Sequence, residues 1–205
     1  DLGYYDLRVP ETRQAQADMA REYGVEAFCY WHYWFGNGRR LLERPFNEVL
    51  ESGKPDFPFC LAWANHSWRG IYNGVKTKES LIDQTYGGLS DYERHFYDVL
   101  PAFEDKRYVT VDGKPFFLIF APAEIPDSRE FIDCWQRLAA RNGLTGIHFV
   151  AHTYQPNDID NFLSMGYDAV NVVRLFEYQR IGISFVQKVL NKVNREVFKH
   201  GFWCQ

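Results

Sequence analysis

Three short stretches of the chain gather side chains suited to holding a sugar. CYWHYWF, residues 29–35, sets Tyr30, Trp31, His32, Tyr33 and Trp34 in succession. An ordinary core strand would use Val and Ile there, because Trp and Tyr bring polar atoms that need partners when buried. LAWANHSWRG, residues 61–70, supplies Trp63, Asn65, His66, Trp68 and Arg69, and AHTYQPND, residues 151–158, supplies His152 and Tyr154. Flat rings stack on the C–H faces of a pyranose, while amides, imidazoles and guanidinium groups take its hydroxyls. Gln84, beside Asp83 in LIDQTY, is a weaker candidate, since turn hydrogen bonding before Tyr86-Gly87-Gly88 explains it equally. Each group also has a plainer reading: a lone histidine such as His32 in an apolar run is often packing, Trp63 suits a core, and Asp158 suits a helix cap.

Other chemistries find less support. His32, His66 and His152 show no HxH or HExxH spacing, and the four cysteines, Cys29, Cys60, Cys134 and Cys204, form no CxxC pair. Neither a metal nor another cofactor is therefore expected. No GxSxG elbow marks a nucleophilic serine, and no GxGxxG or GxxxxGK[ST] follows a strand. Glycosidic chemistry asks for two carboxylates about 5 to 10 Å apart. Glu124 and Glu177 each follow a strand-like run, but neither has an acidic partner at a matching strand end. The catalytic residues stay unknown at this level.

The elements that must position these groups alternate between helix and strand. Pro10 and Glu11 open a helix with Ala15, Met19 and Tyr23 at spacing four, ended by Gly24. VEAFCYWHYWF is a strand; Leu41, Leu42, Phe46, Val49 and Leu50 mark a second helix with Pro45 at a kink or in its first turn; FPFCLAWAN is the next strand. Ser90 with Glu93 predicts a capping box ahead of Tyr92, Phe96, Val99, Leu100 and Phe103. An Asp112-Gly113 turn leads into the strand of residues 116–121, and Ser128 caps a helix that Asn142 and Gly143 end. GIHFVAHTY and DAVNVV are two further strands with a short helix around Phe162 between them, and Phe185, Val186, Val189, Leu190, Val193 and Val197 form a last helix.

Nearly continuous apolar strands separated by helices indicate an α/β fold with a covered parallel sheet. Periodicity leaves a doubly wound sheet and a barrel both open. The polar and aromatic residues at successive strand ends, with Asn171 and Arg174 at the last, favour the barrel, whose enzymes assemble their sites there.

With 205 residues and 46% hydrophobic content the chain belongs to the globular class and is expected to form a single domain. Its net charge of −4 and scattered cations argue against nucleic acid as a partner. No apolar run reaches the roughly 18 residues of a membrane span. The cysteines read as buried thiols of a reducing, cytoplasmic setting.

The segments DLGYYDLRVPETRQAQADMAREYGVEAFCYWHYWF, GRRLLERPFNEVLESGKPDFPFCLAWAN, LIDQTY and KRYVTVDGKPFFLIFAP, spanning residues 1 to about 155, resemble the WbsX-type glycosyltransferase family, related to endo-α-mannosidase-like glycoside hydrolases. The resemblance implies a (β/α)8 barrel that acts on glycosidic bonds of bacterial surface polysaccharide, with substrate contacts at Tyr30, His32, Tyr33, Trp34, Trp63, Asn65 and Gln84. His66 stands where the family usually has an acidic residue. The family's earlier strand with a Pro-Gln-Phe-His type motif and its later Asn-Glu-Trp strand, which carries the carboxylate pair, are not matched. Against the roughly 250 residues of such a barrel, this implies a chain lacking the first and last strands. Two other readings compete: a glycan-binding module without catalysis, and a scaffold with an aromatic core.

Overall fold

The computed structural model describes residues 3–70 and 79–174. The chain divides into a compact unit Asp1–Asn171 and a second, Val172–Gln205. The expected last helix, Glu177 and Cys204 lie outside the described residues.

Helix α1 (Pro10–Glu22) leads into strand β1 (Phe28–Trp34), which turns through Gly36–Asn37 to the short antiparallel β2 (Arg40–Leu41). Helix α2 (Arg44–Ser52) follows with Pro45 in its first turn, then β3 (Phe59–Trp63). A small ribbon pairs β4 (Trp68–Arg69) with β5 (Ser80–Ile82) before α3 (Leu89–Phe103). The hairpin of β6 (Thr110–Val111) and β7 (Lys114–Ile119) turns through Asp112 and Gly113, both at positive φ as a two-residue turn requires. Then come α4 (Ser128–Arg141), β8 (His148–Thr153), α5 (Ile159–Ser164) and β9 (Ala169–Val172).

The main sheet runs β2-β1-β3-β7-β8-β9, and β1, β3, β7 and β8 pair in parallel. Chain order equals spatial order among the parallel strands, without the reversal of a doubly wound sheet. Every described helix also packs on one face. Phe96, Val99, Phe131 and Trp135 of α3 and α4, Phe46 of α2 and Phe162 of α5 meet Phe59, Leu61, Trp63, Phe117, Ile119 and Phe149, and Ala17 and Ala20 of α1 meet Phe28 and Phe57 on that same side. A singly wound sheet covered on one side is a barrel wall, and the described strands do not close it into a ring.

Register decides which residues share a face. Tyr30, Leu61, Phe117 and Phe149 form one row across the sheet, and His32, Trp63, Ile119 and Ala151 the next, both toward the helices. Trp31, Ala62, Leu118 and Val150 form the row between them on the opposite face.

Several sequence expectations need correction. The buried positions of α1 are Arg13, Ala17 and Ala20, while Met19 and Tyr23 are exposed. Arg13 is drawn inward by hydrogen bonds to the Leu7 carbonyl and Glu48. Leu41 belongs to β2 and Leu42 sits at φ 57, so the second helix starts later. Ser90 does not cap α3, which begins at Leu89 after Gly88. Asp127 rather than Ser128 caps α4, accepting from the Glu130 amide at 2.9 Å. Asp158 precedes α5 without a side-chain cap bond, because its carboxylate accepts from the Thr153 hydroxyl at 2.8 Å. Cys60 and Cys134 are buried thiols, but Cys29 is exposed on the helix-free face.

Arg107 ties α2 to the sheet. Its guanidinium donates to the carbonyls of Pro55 (3.0 Å) and Val49 (3.1 Å), pairs with Asp105 (2.6 Å) and lies over the Phe59 ring. Arg107→Met removes the guanidinium donors: the Val49 carbonyl loses its donor and Asp105 its ion pair, while the Pro55 carbonyl keeps the Phe57 amide, and a buried group so stripped costs about 1–3 kcal/mol. We expect a loss of roughly 3 kcal/mol in urea unfolding with an unchanged m-value.

Candidate functional site

At the C-terminal ends of the parallel strands lies an open cleft of ≈ 1010 Å³. Tyr33 closes β1, and Leu42 comes from the turn after β2. His66, Ser67, Trp68 and Arg69 come from the loop after β3 and the β4 ribbon. Phe120 and Ala121 follow β7, the 3-10 turn Pro122–Glu124 presents Glu124, and Tyr154 follows β8. Four successive strands therefore each deliver groups to one mouth.

The rings form a connected wall. Tyr33 and Trp68 meet edge to face at 5.3 Å, and Trp68 also meets Phe35 at 5.5 Å. Phe120 touches Trp31 (5.5 Å, edge to face), His66 (5.0 Å) and His152 (5.0 Å, stacked), and His152 meets Tyr154 at 5.2 Å. Trp31, half exposed, lines an adjoining apolar pocket of ≈ 480 Å³ that shares Tyr33 and Leu42 with the cleft.

Buried polar side chains hold the loops in place. Asn65, 0% exposed, donates its amide to the Ala121 carbonyl (2.8 Å) and the Tyr86 hydroxyl (3.0 Å) and accepts from the Ala121 amide (2.7 Å). It bridges the ends of β3 and β7 as a backbone segment would. Asp91, almost fully buried, accepts from the Asn37 amide at 2.7 Å and the Trp34 indole at 3.4 Å. Thr85 donates its hydroxyl and its amide to the Phe35 carbonyl (2.8 and 3.1 Å), and it lies so close to Gly36 that a Cβ there would sit 2.4 Å from its hydroxyl.

Electrostatically the cleft is mild. Burial pulls the His66 and His152 imidazoles below their ordinary range, the Glu124 charge opposing this at His66, so both are neutral at pH 7. Burial raises the Tyr33 phenol. Among the described residues Glu124 is the one carboxylate lining the cleft, and no group of three or more His, Cys, Asp or Glu is arranged to hold a metal ion.

Of the residues expected at the mouth, Tyr33, His66, Trp68, Arg69 and Tyr154 line the cleft, and Trp31 and His152 abut it through Phe120. Six others lie elsewhere. Tyr30 packs on Phe46 and Phe59 toward the helices. His32, 5% exposed, meets His95 of α3 with their Nε2 atoms 2.8 Å apart, and Trp34 stacks on the same His95 at 4.8 Å. Trp63, 1% exposed, donates its indole to the Trp34 carbonyl and packs on Phe131. Asn65 is spent on Ala121 and Tyr86, and Gln84 donates to the neighbouring Thr85 carbonyl. The cause is the two-residue period of a strand, which sends alternate members of the 30–34 run to opposite faces. Asn171 is beside His152, with its amide 3.1 Å from the imidazole, and Arg174 belongs to the second compact unit.

Sequence reasoning missed Phe120, Leu42 and Ser67 and left Glu124 without a site. Phe120 was readable: with Phe117 and Ile119 inward, alternation turns it to the open face. Asp91 and His95 carried no such signal, because their importance comes from partners more than fifty residues away.

A family model described as Glycosyltransferase WbsX matches residues 1–201. The chain belongs to this family. Among curated relatives, the protein WxcX of Xanthomonas campestris pv. campestris, described as uncharacterized, is 33% identical over 171 residues in each of two strains. That match covers 82% of this WbsX-family chain and 24% of the relative, so the chain spans about a quarter of the relative's length. The GH99 endo-alpha-mannosidase from Bacteroides thetaiotaomicron aligns with a TM-score of 0.58 at 13% identity, over 97% of this chain and 52% of that one. A structure titled glycoside hydrolase-like protein aligns with a TM-score of 0.60 at 15% identity, over 88% and 56%. At such identities the likeness concerns the fold, and it agrees with the singly wound wall described above.

Two expectations follow from the buried residues. Trp63→Ala and Trp34→Ala should each cost about 3–5 kcal/mol in denaturant unfolding, whereas Trp68→Ala and Tyr154→Ala, at the cleft rim, should stay within about 1 kcal/mol of the parent. The second concerns acid. Desolvation, then the Arg40 charge, pulls His32 down to about 3 from an ordinary 6.5, and burial holds His95 well below its usual range. The unfolded chain therefore binds more protons, so stability is full above pH 6.5 and is lost as pH falls from there toward 3. Urea midpoints measured between pH 8 and 4 should fall more steeply for the parent than for His32→Phe/His95→Phe.

Proposed function

We propose that this chain is part of a carbohydrate-active enzyme that acts on glycosidic bonds of bacterial surface polysaccharide, and that the strand-end cleft is its glycan site. The observation that carries the reading is the convergence of Tyr33, Trp68, Phe120 and Tyr154 with His66, Arg69 and Glu124 on one mouth. Rings of this kind match the apolar faces of pyranoses, and the interspersed polar groups match their hydroxyls. Family membership and the likeness to an endo-mannosidase support the same class of chemistry.

In this reading the rings hold the sugar faces and Glu124 accepts from a hydroxyl. A glycosidic mechanism, by hydrolysis or by transfer, asks for a pair of carboxylates, and among the described residues Glu124 is the one that lines the cleft. The partners are oligosaccharides or polysaccharides rather than nucleic acid. No described helix is long and apolar enough to cross a membrane, and the buried thiols of Cys60 and Cys134 support a cytoplasmic setting. A non-catalytic glycan-binding module is the second reading, favoured by Glu124 being the one carboxylate that lines the cleft among the described residues.

The full-length protein is the test. It should cleave mannose-containing oligosaccharides or extend an acceptor, and Trp68→Ala or Tyr154→Ala should weaken glycan binding by about 1–3 kcal/mol, the value of one buried ring. Binding without turnover would favour the module. Neither binding nor turnover would remove the carbohydrate reading.

A further inference from the structure

At the wall of that cleft, where His152 backs Phe120, and resting on its reading as a glycan site, one cluster has unmet hydrogen-bonding capacity. Phe120 is flanked by two imidazoles, His66 and His152, each 5.0 Å away centre to centre. Among the described residues neither His66 Nδ1 nor His152 Nε2 has a hydrogen-bond partner, although both atoms are shielded from solvent. Leaving a buried polar atom without a partner is costly, so two beside one ring suggest that a ligand completes them.

The tautomer of His152 can be derived. Its side chain is 9% exposed, and the Asn171 amide nitrogen lies 3.1 Å from Nδ1. That amide donates, so Nδ1 accepts, and the neutral ring carries its proton on Nε2. The unmatched atom of His152 is therefore an N–H donor. A hydroxyl both donates and accepts, so sugar hydroxyls can satisfy this N–H and the His66 nitrogen alike, while the apolar C–H surface between them meets Phe120. Among the described residues the charged groups in the cleft wall are Glu124 and Arg69, one of each sign, and both imidazoles are held neutral by burial. Nothing here selects an acidic sugar.

The geometry points to a subsite for a neutral pyranose centred on Phe120, with His152 Nε2–H donating to one hydroxyl and His66 Nδ1 pairing with another, and with Asn171 as the positioning residue that sets the His152 tautomer. The family relationship does not supply this cluster; it comes from the two unpartnered nitrogens and the ring between them.

Long-range ¹H–¹⁵N spectra of full-length protein labelled with ¹⁵N-histidine test it. The free protein should show His152 protonated at Nε2. Titration with an α-mannobiose should move the His66 and His152 ring nitrogens and leave His32 and His95, buried behind the sheet, in place. Phe120→Ala and His152→Phe should each weaken mannobiose binding at least tenfold, with unmoved His32 and His95 signals reporting an intact core. If mannobiose quenches tryptophan fluorescence while the His66 and His152 signals stay fixed, or if both variants bind as the parent does, the subsite is overturned and the glycan reading survives. If only uronate-containing oligosaccharides bind, the neutral-sugar assignment is overturned. If neither mannobiose nor other neutral or acidic oligosaccharides bind, the glycan reading falls and the subsite with it.

Discussion

Adjacent residues of a β-strand face opposite ways, and in this protein the two faces of the sheet have different fates. One is sealed by α1 to α5 into an aromatic core around Trp63, Phe117, Phe131 and Trp135. The other carries Trp31, Ala62, Leu118 and Val150, is covered by none of the described helices, and rises at its C-terminal edge to Tyr33, Phe120 and His152. A shift of one residue in the pairing of β1 with β3 would exchange His32 for Trp31 and bury the wrong ring. The large apolar area on the helix side, worth about 25 cal/mol per Å² removed from water, holds that register.

The cleft is then shaped by buried polar groups rather than by more apolar packing. Where β3 and β7 leave the ladder, Asn65 replaces the lost backbone pairing with its own amide and keeps Ala121 at a set distance from the loop of His66 and Trp68. Asp91 does the same for the turn after β1, reaching from α3 to the Asn37 amide. These side chains contact no cleft space, yet the walls depend on them, because an unpaired amide or carboxylate in such a position would cost more than the loop gains by moving.

Chemically the described residues give the cleft a wall of rings with the neutral His66 imidazole, the Glu124 carboxylate and the Arg69 guanidinium, and His152 abuts it behind Phe120. This suits recognition of uncharged, hydroxyl-rich molecules better than phosphates, which call for helix N-termini or clustered cations. Membership of the WbsX glycosyltransferase family agrees with a carbohydrate role, and the chain spans about a quarter of the length of its curated relatives.

By itself the sequence determined the alternation of helices and strands, the α/β class, the parallel sheet and the three strand-end clusters, since these rest on local periodicity and residue type. Only the tertiary structure decided that Tyr30, His32, Trp34 and Trp63 belong to the core, that Asn65 and Asp91 are struts, and that Glu124 enters the cleft. The physical reason is that facing and burial depend on which element packs against each side of a strand. His32 and Tyr33 are neighbours of similar character in the chain, and a helix whose His95 lies 63 residues away assigns one to the interior and leaves the other at the mouth.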